Sequence, residues 1–426
     1  MRDTTILRTV CLALLLALLS IPGHADPVER RRDQFGKEFG YYAYPLVVEV
    51  PGMGKGGGAG FSVLNMAESD TDLTGFYLRG DLSATGLAVL DHHIIPKRLV
   101  VDAGYYDFLV APLVYDRGIT SDAKNVIHPK VAGMYMLGQM TLTFDERRYE
   151  GYVRMLGGRQ RMLSVLDSNG QAFPNIDNSW MEARLTTVGG SLDLTDDRLD
   201  PRKGVRLELA SQLPVNTGAD RSEYFASNVN LTGYLPSRKS DTLVFNVFYS
   251  RANVTREGLT DYATLQQRYG LGCANYPAGP AQTDCLAAEA KLLNGWIANN
   301  RYGTATPLGG TQRLRSFDNG RFYAGQALSY GVEYRWNLTD EYTPFDIRIA
   351  KGIRTNIQVA AFAERGMVAD NSSDLLKDGR NSFGVGFRVV LSGAVLRLDL
   401  ATGDEGVRSQ LFISYPWSMF SVDKPG

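Results

Sequence analysis

The stretch Ala327-Leu328-Ser329-Tyr330-Gly331-Val332-Glu333-Tyr334-Arg335-Trp336-Asn337-Leu338 decides the fold. Leu328, Tyr330, Val332, Tyr334, Trp336 and Leu338 fall on one side of an extended chain; Ser329, Gly331, Glu333, Arg335 and Asn337 fall on the other. A period of two is the signature of a strand. Strands of soluble sandwiches usually run about 5–6 residues, whereas a tilted strand crossing a bilayer needs roughly ten. The same length and alternation recur at 204–213, 242–251 and 356–366, where Ile357, Val359, Ala361 and Ala363 oppose Gln358, Ala360, Phe362 and Glu364.

The connectors alternate as well. Short turns at Asp145-Glu146-Arg147, Asp200-Pro201-Arg202-Lys203, 236–240 and Ser392-Gly393 contrast with long connections at 156–182, 252–322 and 369–380. Short turns on one rim and long loops on the other mark an outer-membrane barrel. The pattern predicts an all-β, transmembrane antiparallel barrel. Fourteen strands read cleanly, beginning near Gly57, Asp72, Arg98, Gly133, Tyr149, Arg184, Gly204, Tyr224, Thr242, Ala327, Asn356, Asn381, Ala394 and Val407, and the irregular 107–131 has room for another pair.

Composition agrees. The 44% hydrophobic content suits strands that are half polar, and the 45 glycines and 22 tyrosines suit tight turns and interfacial aromatics. A net charge of -1 gives no argument for nucleic acid as a partner. At the N-terminus, Arg2 and Arg8 flank the start of an apolar run from Val10 to Leu19, and Pro22-Gly23-His24-Ala25 follows with small residues at cleavage positions. This reads as a secretory signal over 1–25, too short for a spanning helix. The expected organisation is then a short periplasmic segment at 26–55, the barrel at 56–420 and a tail at 421–426. After export, Cys273 and Cys285 remain, in one loop-like segment rich in Gly, Pro, Ala and Asn, and are expected to form a disulfide that braces it.

Between two strand segments lies the polar, glycine-rich run Leu308-Gly309-Gly310-Thr311-Gln312-Arg313-Leu314-Arg315-Ser316-Phe317. With Phe362-Ala363-Glu364-Arg365-Gly366, the turn Asp196–Gly204 and the strand Leu396–Ala401, it resembles the outer-membrane-protein-85 superfamily, whose barrels carry the bacterial surface antigen (D15) domain. Leu308, Gly309, Gly310 and the Leu314–Phe317 run are similar to that family's long-loop motif, with Ser316 where glycine is usual. Phe362 to Gly366 is similar to its Phe-x-Asp-x-Gly strand motif, with Glu364 in place of Asp. The resemblance implies sixteen strands and a loop folded into the lumen, where Arg315 binds inward carboxylates and Phe317 follows it. Glu364 is the matching acceptor, and Asp399 and Glu333 face the same way by parity. Typical members place periplasmic POTRA domains before the barrel; with only about thirty residues expected between the cleavage site and the first strand, this chain resembles the subgroup lacking them. The implied role is protein or lipid translocation or insertion at the bacterial outer membrane. The expected partners are outer-membrane lipid, the assembly machinery that inserts the barrel, and a polypeptide or lipid client.

A passive pore or structural barrel is the first alternative, and a barrel-embedded lipid hydrolase the second; the hydrolase would need Ser250 or Ser329 near His93. No catalytic residue, cofactor or metal is expected. Pro51–Gly58 fails the spacing of a phosphate loop and reads as a flexible entry into the first strand, weakening the seam with the last. Asp91-His92-His93 reads as a rim or turn, and Asp196, Asp197 and Asp200 as a polar turn before Pro201. The last strand is read as Gln410–Trp417, with Trp417 as its aromatic end.

Overall fold

A computed structural model describes residues 34–35, 39–124, 126–167, 170–173, 176–213, 218–238, 240–339, 345–347, 350–353, 355–391 and 394–418. The expected signal segment, the Ser392-Gly393 turn and the 421–426 tail lie outside them. Strands β1 (Gly40–Val50), β2 (Gly54–Met66), β3 (Thr71–Gly80), β4 (Ser83–Ile95), β5 (Leu99–Val110), β6 (His128–Phe144), β7 (Tyr149–Leu166), β8 (Met181–Asp193) and β9 (Gly204–Leu213) pair in order. They are followed by β10 (Glu223–Ser237), β11 (Asp241–Arg256) and β12 (Gln326–Asn337). A hairpin, β13 (Phe345–Ile347) and β14 (Ala350–Ile353), lies outside the wall; β12 pairs directly with β15 (Thr355–Ala369). The wall is completed by β16 (Arg380–Leu391), β17 (Ala394–Gly403) and β18 (Gly406–Ile413), and β18 returns to β1. Removing the hairpin leaves a closed, antiparallel barrel of sixteen strands, whose first and last members meet at one register pair.

Two wall strands are absent from the fourteen read in the sequence. One is β1, so the wall begins at Gly40 rather than at residue 56. Its two faces are both largely apolar, Tyr41, Ala43 and Val47 opposing Tyr42, Leu46 and Val48, so it shows no polar–apolar alternation, and it carries Pro45, a residue that sheets tolerate mainly on edge strands. The other is β4, whose period is broken by a bulge between Val89 and His92, with Asp91 at φ 58°. The extra pair does not come from 107–131: among the described residues 111–127 form a loop, tied by the bridge between Val114 and Ile127. Pro51–Gly58 is also placed differently from expectation. It is the β1–β2 turn and the body of β2, closely packed: a Cβ on Gly58 would meet the Tyr77 carbonyl oxygen at 1.8 Å.

Alternation sorts the wall into two faces. Outward lie Met136, Met140, Leu142 and Phe144 of β6, Tyr149, Val153 and Met155 of β7, and Phe383, Val385 and Phe387 of β16, all large, apolar and exposed. On a closed barrel, a band this apolar is the kind of surface that faces lipid. Inward lie buried polar and charged groups, among them Gln139, Asn230, Glu333, Arg388 and Asp399. Among the described residues no helix is long and apolar enough to cross a membrane.

The longest connection, between β11 and β12, has two parts. Its outer part carries helices α1 (Tyr262–Tyr269) and α2 (Pro280–Tyr302); the Cys273–Cys285 disulfide ties the turn between them, at Cys273–Asn275, to α2. Asp261 caps α1 by accepting the Thr264 N–H at 2.8 Å. Cys285 and Ala288 of α2, with Cys273, pack with Ile127 and Phe173 from neighbouring connections and with Val165 at the end of β7. The inner part, 303–325, enters the lumen.

Candidate functional site: a latched loop inside the barrel

The inner loop is a narrow hairpin. Leu308 and Phe322 bridge its stem, with N–H to O distances of 2.8 and 3.0 Å. Gly309 and Gly310 turn the chain with φ of 106° and 99°, a region open to glycine and costly for side chains. Leu308, Leu314, Phe317 and Phe322 form a dry core against Phe248 and Val368. Phe317 meets Phe322 edge to face at 5.0 Å. The wall makes room for this packing at Gly366, where a Cβ would strike Leu314 at 2.6 Å and Leu308 at 2.8 Å. The strand-motif glycine therefore has a steric reason.

Arg315 stands at the tip and is fully buried. Its backbone N–H and its Nε both donate to the Glu364 carboxylate, at 2.9 and 3.0 Å. Its Nη1 donates to Asp399 at 2.9 Å and to Glu333 at 3.1 Å. The guanidinium lies over the Phe362 ring, 3.3 Å from its centroid. The structure thus brings Arg315, Glu364, Asp399, Glu333 and Phe362 into one cluster, while Phe317 supports the tip from the apolar side. A planar fork suits this arrangement, because its fixed donors reach three carboxylates at once.

The cluster is larger than the sequence reading foresaw. Glu333 also accepts from Arg388 and Arg335, at 2.7 and 2.8 Å. Arg397 lies 3.4 Å from Asp399 and donates to the Thr311 carbonyl. Parity alone put Arg335 inward, and the same alternation would have found Arg388 and Arg397. Arg313 donates to Asn230 at 3.0 Å and stacks on Phe248 at 3.8 Å. Ser316 is met by a glycine on the wall: a Cβ on Gly403 would lie 2.3 Å from the Ser316 hydroxyl. Its N–H donates to the Ser382 hydroxyl at 3.0 Å.

The C-terminal strand also differs from expectation. β18 ends at Ile413, and the chain then leaves the wall for the lumen. Trp417 is buried there; its Nε1–H donates to Glu364 at 2.8 Å, and its carbonyl accepts from Asn230 at 2.7 Å. Tyr415 donates to Asp200 at 3.0 Å. Asp200, on the β8–β9 turn, accepts from Gln358 at 2.7 Å across the lumen. Asp196 and Asp197 accept from the N–H groups of their own turn, at 2.7–2.9 Å. The loop, the C-terminal segment and this turn together fill the part of the lumen bounded by β10 to β18.

At the opposite wall, Asp91 is buried against Arg147, and His93 lies 3.4 Å from Asp70 with the Phe35 ring 5.4 Å away. Ser250 is engaged elsewhere, accepting the Thr306 N–H at 2.9 Å. The structure does not bring Ser250 to His93.

The seam is the second notable region. Among the described residues the register between β18 and β1 is the single pair Glu49–Leu411. Toward its start, β1 pairs instead with the hairpin strand β14, with Tyr41 opposite Lys351 and Tyr42 opposite Ala350. β1 and β2, by contrast, are in register from Gly40–Leu64 to Val50–Gly54.

No family model and no curated protein matches the chain. Among solved structures, it is similar to CdiB from Escherichia coli, with 8% identity, a TM-score of 0.50, and 88% of this chain and 62% of that one covered. It is also similar to BamA from Haemophilus ducreyi lacking POTRA domains 1-3, with 11% identity, a TM-score of 0.46, and 88% and 69% covered. At 8% identity the likeness to CdiB is one of fold alone.

Proposed function

We propose that this barrel is of the outer-membrane-protein-85 type, works in the bacterial outer membrane, and assists the passage or insertion of a polypeptide or lipid client. The seam carries the reading. Closing a sheet into a barrel normally satisfies every backbone group, yet here β18 and β1 share one register pair and a short hairpin covers part of the remaining edge. An edge of unpaired N–H and C=O groups is a template for another strand. The latched loop supports this use by making one half of the interior rigid, so that opening is confined to the seam.

The test is a locked seam. Glu49 and Leu411 are directly opposite, a placement whose Cα spacing of about 4.5–5.5 Å permits a disulfide. Glu49→Cys with Leu411→Cys should reproduce the outer-membrane protein and lipid changes of a strain lacking the gene, and reduction should reverse them. Full function in the oxidised variant would sink the proposal. A gene deletion that alters neither proteins nor lipids, with ion conductance through the barrel, would favour the passive pore.

A further inference from the structure

The outer face of the wall carries a dip that none of the preceding roles uses. Two cross-strand rows define it. The lower row reads Phe245, Val332, Ala363, Phe383 across β11, β12, β15 and β16; the upper reads Val247, Tyr330, Arg365, Asn381. Ala363 is the small residue of the lower row, so Phe245, Tyr330 and Phe383, all exposed, stand around a hollow of about 520 Å³. Its lining is almost wholly apolar, and it opens toward the surface that the apolar band assigns to lipid.

Arg365 closes the upper end. It lies ten residues along β15 from Thr355 (365 − 355 = 10), about 33 Å of strand and roughly 23 Å of height at a 45° tilt. That matches an apolar band about 25 Å tall, so the guanidinium stands at the lipid headgroup level on the long-loop side. Its Nη1 donates to Asn381 at 3.0 Å. Among the described residues no carboxylate pairs with it, unlike the inward arginines of the latch. Its seat is built: a Cβ on Gly379 would lie 3.1 Å from both Nε and Nη2.

We infer that this hollow binds one phosphorylated lipid of the outer leaflet, with an acyl chain against Ala363 between the aromatic side chains and the headgroup phosphate on Arg365. The chemistry is complementary at both ends: the apolar floor gains from a hydrocarbon chain, and an unpaired guanidinium binds a phosphate by charge-assisted hydrogen bonds. This site does not depend on the translocation role.

Native mass spectrometry of the full-length purified barrel, titrated with phosphatidic acid or phosphatidylcholine of identical chains, tests it. The wild type should retain one phosphatidic acid at least about tenfold more tightly than phosphatidylcholine, the size of one charge-assisted bond. Arg365→Ala should abolish that preference, and Ala363→Trp, which fills the hollow, should weaken both lipids. Equal retention of the two lipids, or an Arg365→Ala variant indistinguishable from wild type, would overturn the inference. So would displacement by millimolar inorganic phosphate, which would make this a free-anion site.

Discussion

The two parts of the β11–β12 connection hold the same kinds of charge by different physics. In the outer part, Arg268 donates to Asp220 at 2.8 Å with its side chain 53% exposed. In the inner part, Arg315 meets three carboxylates with its side chain 0% exposed. An exposed pair is screened by water and worth little; a buried cluster stabilises only while it is complete, and breaking it leaves a charge unpaired in a poor solvent. The outer part therefore needs a covalent brace, and the inner part needs none. A sequence that fixes its loop tip in this way has an inner half that behaves as part of the wall.

The largest effect expected is from Arg315→Ala, at about 3–5 kcal/mol of barrel stability. Glu333 keeps Arg335 and Arg388 in that variant, so Glu364, left with neutral donors only, the backbone N–H of residue 315 and the Trp417 N–H, bears most of the loss. Glu364→Ala should cost a similar amount, and the double variant much less than the sum; denaturant titration in detergent measures all three. Additive losses would dissolve the pair.

Replacing Cys273 and Cys285 with serine should weaken the outer helices by about 3 kcal/mol, the scale for a closed loop of this size. The latch and the wall should be untouched. Hydrogen exchange can locate the change: faster exchange confined to 262–302 agrees, and faster exchange at Arg315 would show that the two halves are coupled.

Gly403→Ala should destabilise the barrel by about 1–3 kcal/mol, since its new methyl group overlaps both the Ser316 hydroxyl and the Asn381 carbonyl oxygen. Ser316→Gly in the same chain should recover the part owed to the hydroxyl and leave the part owed to the wall carbonyl. No recovery at all would mean that the wall glycine does not serve the loop.

The smallest effect is that of pH on the outer part. The Asp220 carboxyl is held below the usual range by hydrogen bonds from Tyr269 and Arg268, and Asp261 by its cap of Thr264. Groups with depressed values stabilise the fold above their unfolded value of about 3.9 and cease to do so as pH falls through the folded value. Circular dichroism should show a slight loss of helix below about pH 4, reversed on neutralisation, with the strand signal unchanged.

The sequence by itself determined the class of fold and most of its strands, because alternation over about ten residues is a local property with one structural solution in a membrane. Strand parity also placed Glu333, Glu364 and Asp399 on the face that meets Arg315. It failed at β1, where both faces are apolar, and at β4, where the bulge around Asp91 breaks the period. Only the tertiary structure decided what lies across the lumen. Trp417 reads in sequence as the end of a strand, yet it leaves the wall to meet Glu364, and Gly403, at the end of β17, makes room for Ser316 from a loop far away along the chain. Neither relation has a local signal, since each depends on which elements the closed barrel sets face to face. The same holds for the seam, whose thin pairing follows from where β18 stops and where the β13–β14 hairpin lands.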